Sequence, residues 1–383
     1  MTALEGIEVV RLRLPLVEPW VTPLGTLRNR DVLLCRAVVG GASGWGECSA
    51  QPEPTYSAEY VDGAADVLAR HLVPRLLAAA AVRGRDVPAA LAAVKGHPMA
   101  KAALEVAVLD AELRLLGRGL AAHLACVADP LAPEPAARVT AGVAVGLHPR
   151  LDDLLAEVSG HVAAGYRRVK LKVHPGADLA PVAAVRGAWP PGRLALQVDA
   201  NGSYATVADP VTALRPLDDH DLLVVEQPLA DDDLVGHATL ARGLRTPVCL
   251  DESITSDGAA AAALAIGACR VVNLKPGRVG GVHAALRIHD RCRAAGVGLW
   301  VGGMLETGVG RAVNLALASL PGVTLPGDLS AADRFWAEDI ITRPAVLEPD
   351  GTIAVPTAPG IGVEVRSDLG GVTVGRDWYP AGP

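Results

Sequence analysis

Between residues 140 and 330 the chain repeats one pattern: a short apolar, β-branched run that ends on a polar residue, followed by an Ala- and Leu-rich stretch. The runs are TAGVAVG (140–146), RVKLKV (168–173), LALQVDA (194–200), LLVVEQP (222–228), PVCLDES (247–253), VVNLKPG (271–277), LWVGGM (299–304) and VTLPGD (323–328). The stretches between them, such as DDLLAEVSGHVAAG and GGVHAALRIHDRCRAAG, carry apolar residues at helical spacing. Strands alternating with helices predict right-handed βαβ units and a parallel sheet. Measured between polar residues at the run ends, the period is 199 − 172 = 27, 226 − 199 = 27, 251 − 226 = 25 and 275 − 251 = 24. Eight such units predict an α/β fold of the (β/α)8, TIM-type barrel class. An open doubly wound sheet would carry a Gly-rich phosphate turn after an early strand, and no GxGxxG stands there.

Residues 1–130 follow another pattern. Strand-like runs (GIEVVRLRLPL, DVLLCRAVV, SGWGEC) come first, then helical ones (SAEYVDGAADVLARHLVPRLLAAA, MAKAALEVAVLDAELRLLG). This predicts an α+β domain ahead of a barrel spanning 138–344, with LAPEPAA (131–137) as linker and the valine- and turn-rich segment 345–383 returning to the first domain.

The run RRVKLKVHPG (167–176) sets Lys170 and Lys172 on one face of a strand that otherwise reads as buried. Two desolvated ammonium groups need anions or a reaction to compensate them. Barrel chemistry sits at the C-terminal strand ends, and reading those ends in order gives Lys170 and Lys172, Asp199 with Asn201, Glu226, Asp251 with Glu252, Lys275, and Glu306 beyond the seventh run. Asp199, Glu226 and Asp251 on consecutive strands would repel one another unless a hard divalent cation joins them, and oxygen ligands suit Mg²⁺, with Mn²⁺ or Co²⁺ as substitutes. Lys172 and Lys275 would then flank the metal, their pKa values lowered by neighbouring positive charge, Lys170 included, so that they act as bases. The implied reaction removes the proton alpha to a substrate carboxylate and makes an enediolate. Taken singly, KxK reads as an exposed strand face and VDAN, VEQP and LDES as helix caps; the ordered set is what those readings explain poorly. His174, His283 and His289 read as surface or satisfied histidines, and GRVGG as a tight turn opening a helix.

Composition narrows the partners. Half of the 383 residues are hydrophobic and a fifth are charged; a net charge of −7 offers no basic field for nucleic acid. Charges run through the N-terminal segment, and no charge-free apolar run is long enough to cross a bilayer, so no membrane association and a cytoplasmic location are expected. The six cysteines lack close pairs and read as buried free thiols.

These residues carry a resemblance. The chain is similar to the enolase superfamily, muconate-lactonizing subgroup, and within it to the o-succinylbenzoate synthases and N-acylamino acid (N-succinylamino acid) racemases. The shared segments span the chain: LPL, GWGEC, YSAEY, MAKAALEVAVLDAEL, VKLKV, QVDAN, EQPL, CLDESI, NLKPGRVGG, GGMLETGVGR, LPGDLSAADRF and PTAPGIGV. The resemblance implies Asp199, Glu226 and Asp251 as Mg²⁺ ligands and Lys172 and Lys275 as an acid/base pair on opposite faces of a small carboxylate substrate. It places Lys170, Asn201, Glu252, Arg278, Met304, Glu306, Trp20, Tyr56 and Ala144 beside the substrate or behind the groups that touch it. It further implies a homo-oligomer and an N-terminal capping domain whose loop at about residues 18–28 closes the barrel mouth. In synthase members Lys172 alone would take the proton and return it to the departing hydroxyl. Arg278 resembles the racemase-competent members. Trp20, Leu24, Gln51 and Ala144 depart from the usual pattern where specificity should lie. A dipeptide epimerase, a muconate-type cycloisomerase and a non-catalytic metal-binding barrel are the alternatives; the epimerases place DxD on the eighth strand, whereas PGDLS offers only Asp328.

Overall fold

The structure is a computed structural model that describes residues 3–22, 25–79, 83–131 and 133–382; Leu24 lies outside the described residues. Three strands open the chain, β1 (Leu4–Thr22), β2 (Gly25–Val39) and β3 (Ala42–Cys48), paired antiparallel in sequence order. Alternation sends the two faces of β1 to different cores. Val10, Leu12 and Leu14 join the large core shared with the parallel strands of the C-terminal half, whereas Ile7 and Val9 pack with the helix Pro98–Leu115. Against β3 that helix lies in direct contact, because GWGEC supplies glycines there: a Cβ on Gly46 would stand 2.9 Å from Ala103 C and Ala107 N.

Past the short strand β4 (Arg138–Thr140), the periodic region delivers parallel strands β5 (Gly142–Val145), β6 (Arg168–Lys172), β7 (Ala195–Asp199), β8 (Val225–Glu226), β9 (Val248–Leu250), β10 (Val271–Leu274) and β11 (Gly298–Val301), neighbours in that order in one seven-stranded sheet. The eighth expected run does not form a strand. Leu325 and Asp328 donate singly to Leu299 and Val301, and Gly142 donates to Leu329, so the segment touches both edge strands without a ladder. Pro326 has no N–H to give, and Gly327 adds backbone freedom, which accounts for the break. The sheet is therefore open by strand pairing, against the closed (β/α)8 expectation. Finally β12 (Thr352–Ala354) pairs with β4, and β13 (Thr373–Pro380) returns to pair antiparallel with β1.

The smaller expectations divide. His283 and His289 have hydrogen-bond partners, Glu105 and the Pro321 carbonyl, and Gly280 and Gly281 turn the chain at positive φ into the helix Val282–Ala295. All six cysteines are free, but Cys126 is exposed, a departure from the buried-thiol reading.

Candidate active site

Parallel register puts Lys172 beside Asp199 and Asp199 beside Glu226, so three strand ends meet at one level. One strand further, Asp251 follows the end of β9, and Lys275 follows β10 at the start of the single turn Pro276–Val279. Two residues below, Lys170 is level with Ala144 and Gln197. Every one of these residues except Ala144 and Lys172 is buried, and the Lys172 side chain is only 9% exposed.

Charges meet in pairs. Lys170 Nζ stands 3.1 Å from Asp199 and 2.9 Å from Glu226, and it also contacts Asp328. Lys172 donates to Asp199 at 2.7 Å and to Asn201 Oδ1 at 2.6 Å. Asn201 Nδ2 donates to Glu252 at 2.7 Å, which fixes the direction of its amide. Lys275 donates to Asp251 at 2.7 Å, and Arg278 pairs with the other oxygen of the same carboxylate. Glu226 accepts further bonds from Gln197 and Asn273. Among the described residues no three carboxylate, imidazole or thiol groups stand together as a ready metal-ligand set, and Lys170 lies between Asp199 and Glu226.

Burial disfavours each charge, and the partners decide the outcome. It pushes Asp199 up, but Lys172 and Lys170 outweigh it and hold Asp199 below the usual carboxylate range. Asp251 is likewise lowered against burial by Lys275 and Arg278. Glu226 is raised, by burial and then by Asp199. Glu252 is pushed up to about 8 by burial, Asp251 and Asp199. Lys275, pushed down by burial, is lifted above its ordinary value by Asp251. The lowered pKa expected for Lys275 from the sequence is tied to a divalent cation beside it; the carboxylate 2.7 Å away acts in the opposite direction. Lys170 is raised for the same reason, by Glu226 and Asp199.

The pocket above these groups is walled by both halves of the chain. Trp20, Gln51 and Tyr56 come from the N-terminal half, and Ala144, Met304 and Glu306 from the C-terminal half. Trp20 meets Phe335 edge-to-face at 5.8 Å, with the Arg334 guanidinium over both rings. Gln51 donates to the Met304 carbonyl at 3.3 Å, and Glu306 accepts from Met304 N. Tyr56 reaches furthest, its hydroxyl 3.1 Å from both Lys275 Nζ and Arg278 Nη1.

Sequence reasoning passed over Arg168 and Glu47, and weighed Asp328 only against the epimerase pattern. Arg168 shares the face of Lys170 and Lys172, as the i, i+2 spacing in RVKLK already implied, and it pairs with Asp328. Asp328 ends the eighth run as the other acids end theirs. Glu47, the acid of GWGEC, reaches from β3 to accept from Thr307 N, Thr307 Oγ1 and Gly310 N at the start of the helix Gly308–Ala318, tying the two halves together.

Comparison with known families agrees with this geometry. The mandelate racemase / muconate lactonizing enzyme N-terminal domain family matches residues 6–124, and the enolase C-terminal domain-like family matches residues 153–369. The chain belongs to the enolase superfamily. Within it, an N-succinylamino acid racemase from Amycolatopsis sp is 50% identical over 98% of this chain and 99% of that protein. An o-succinylbenzoate synthase from Bacillus subtilis is 41% identical over 96% of each. A solved enolase-superfamily protein from Listeria innocua superposes with a TM-score of 0.92 over the full length of both chains, at 36% identity. At the level of the fold alone, a dipeptide epimerase from Cytophaga hutchinsonii, 22% identical with a TM-score of 0.86 over 98% of this chain and all of that one, is solved with Mg and a dipeptide. This chain is thus an enolase-superfamily enzyme of the racemase and synthase kind. No helix among the described residues is long and apolar enough to cross a membrane.

Proposed function

We propose that the chain is a Mg²⁺-dependent enzyme that moves the proton alpha to a carboxylate, racemising N-succinylamino acids and, in the same site, forming o-succinylbenzoate by loss of water. One observation carries the reading. Lys172 ends one strand and Lys275 follows another, and the three acids Asp199, Glu226 and Asp251 stand at the ends of the three strands between them.

Asp199, Glu226 and Asp251 are the residues that would hold the metal. They are buried hard-oxygen donors at neighbouring strand ends, and Asp199 and Glu226 already converge on one cationic group, Lys170 Nζ. When bound, Mg²⁺ supplies the positive charge that stabilises the second negative charge of an enediolate and draws the Asp251 charge away from Lys275. The remaining work belongs to the chain. Asn201 Oδ1 and Asp199 aim the Lys172 amine, and Glu252 keeps the Asn201 amide turned the right way. Lys170 stays cationic and holds Asp199 and Glu226 in place. In racemisation, one lysine removes the α-proton from its face while the ammonium of the other donates to the opposite face. In dehydration Lys172 takes the proton and returns it to the departing hydroxyl, and Lys275 serves through its charge. The Arg278 contacts with Asp251 and Tyr56, beside Lys275, support a two-lysine reaction. Asp328 weighs against a dipeptide epimerase, because its carboxylate is engaged by Arg168 and Lys170 rather than free to hold a substrate ammonium. Cytoplasmic location, assembly as a homo-oligomer and acceptance of Mn²⁺ or Co²⁺ belong to the same proposal.

The test is proton NMR in D₂O with a panel of N-acylamino acids, beside a dehydration assay. Exchange of the α-proton and interconversion of N-succinyl enantiomers are expected, and a chain that exchanges no α-proton with metal supplied is not this enzyme.

A further inference from the structure

The two lysines are built differently. Both side-chain partners named for Lys172, Asp199 and Asn201, come from the barrel. Lys275 has one barrel partner, Asp251, and one from the N-terminal half, the Tyr56 hydroxyl at 3.1 Å, and its ammonium also lies over the Tyr56 ring, 4.9 Å from the centroid. Arg278 Nη1 donates to the same hydroxyl at 3.1 Å. Two cationic donors aimed at one phenol oxygen require it to accept from both, which leaves its own O–H to point at Asp251, whose oxygens lie 3.4 and 3.5 Å away. The hydroxyl thus sits among Lys275, Arg278 and Asp251.

We infer that Tyr56 is a positioning residue for one proton-transfer face only: seated from the N-terminal half, its hydroxyl sets the direction of the Lys275 ammonium, whereas Lys172 is aimed by the barrel alone. The inference rests on the proposed two-lysine reaction and adds an asymmetry to it. Without the hydroxyl, Lys275 and Arg278 would share only Asp251, and the ammonium would settle onto that carboxylate rather than toward substrate. A proton transfer loses rate steeply when its donor and acceptor are misplaced. The segment carrying Tyr56 is also held to its own half, since Val61 N donates to Gln51 O, and Ser57 Oγ to Glu59 O. Lys275 chemistry therefore depends on how that half is seated.

The test uses Tyr56→Phe, which keeps the ring and removes one oxygen, and compares α-deuterium exchange into each enantiomer of an N-succinylamino acid with Mg²⁺ present. Lys172→Ala identifies the enantiomer served by Lys275, and Lys275→Ala the one served by Lys172. Tyr56→Phe should slow exchange of the Lys275 enantiomer by about tenfold or more in kcat, leave the other within about twofold, and slow racemisation by the larger factor. A thermal melt checks that the variant folds; should it fail to, Tyr56→His, which keeps a ring and a polar edge, takes its place with the same split expected in weaker form. Equal slowing of both enantiomers, or no slowing of either, overturns the inference while leaving the two-lysine enzyme standing. A parent protein that exchanges neither enantiomer overturns the proposed function itself.

Discussion

Removing Lys172 should separate its structural part from its chemical part. In Lys172→Ala, Asp199 loses a donor at 2.7 Å and Asn201 one at 2.6 Å, but Asp199 keeps Lys170 at 3.1 Å, so no buried carboxylate is left alone. The cost to stability should then be that of two charge-assisted hydrogen bonds, about 1.5–3 kcal/mol each, without the further penalty of orphaning a buried ion. Lys275→Ala is parallel, since Asp251 keeps Arg278. The chemical loss should be far larger. A positioned general acid or base is worth about 10²–10⁴ in rate, so each variant should lose racemisation by about a hundredfold or more while remaining folded at 25 °C. A half-reaction survives in each. With Lys275 gone, Lys172 should still exchange the α-proton of one enantiomer with solvent deuterium; with Lys172 gone, Lys275 should exchange that of the other. Urea unfolding reads the first quantity and proton NMR of each enantiomer in D₂O the second. If both variants exchange the same enantiomer, the lysines do not face each other across the substrate and the two-base reasoning fails.

Other outcomes follow from single contacts. Glu226→Gln removes a buried oxygen ligand but keeps an acceptor for Asn273; metal affinity measured by calorimetry should fall about tenfold or more with the fold intact, and unchanged affinity would remove Glu226 from the ligand set. Gly46→Ala should destabilise by about 1–3 kcal/mol in urea unfolding, because its Cβ has no room against the helix Pro98–Leu115. Glu47 titrates in the opposite sense to a salt-bridged acid. Burial and Glu306 push it up to about 7 from an ordinary 4.5, so the folded state binds its proton more tightly. Its contribution is full below pH about 4.5 and is lost as pH climbs through about 7, a difference on the order of 3 kcal/mol from 2.303RT per pKa unit. Glu47→Gln cannot titrate, so its stability should fall less than the parent's across that window, and parallel pH profiles would count against the shift.

Much of this site was written in the chain order. A polar residue ending each apolar run at intervals of 24 to 27 marks Lys172, Asp199, Glu226, Asp251 and Lys275, because parallel strands with helical returns convert a sequence period into a row of neighbouring strand ends. What stayed hidden depends on approach between distant segments. Tyr56 reaches Lys275 across 219 residues of sequence, and Glu47 reaches Thr307 across 260, and no local pattern encodes either. The eighth run read as a strand from its apolar residues, yet Pro326 and Gly327 decide its backbone. The raised pKa of Lys275 likewise needs the 2.7 Å contact with Asp251, since positive neighbours alone argue the other way.

The central claim is that three carboxylates and two lysines together move an α-proton. It is tested most directly by recording proton NMR of an N-succinylamino acid with the unmodified protein in D₂O, first after thorough removal of metal and then after addition of Mg²⁺. Loss of the α-proton signal only when Mg²⁺ is present, for both enantiomers, is the predicted result. Full exchange in excess chelator, or none with Mg²⁺ restored, would contradict it.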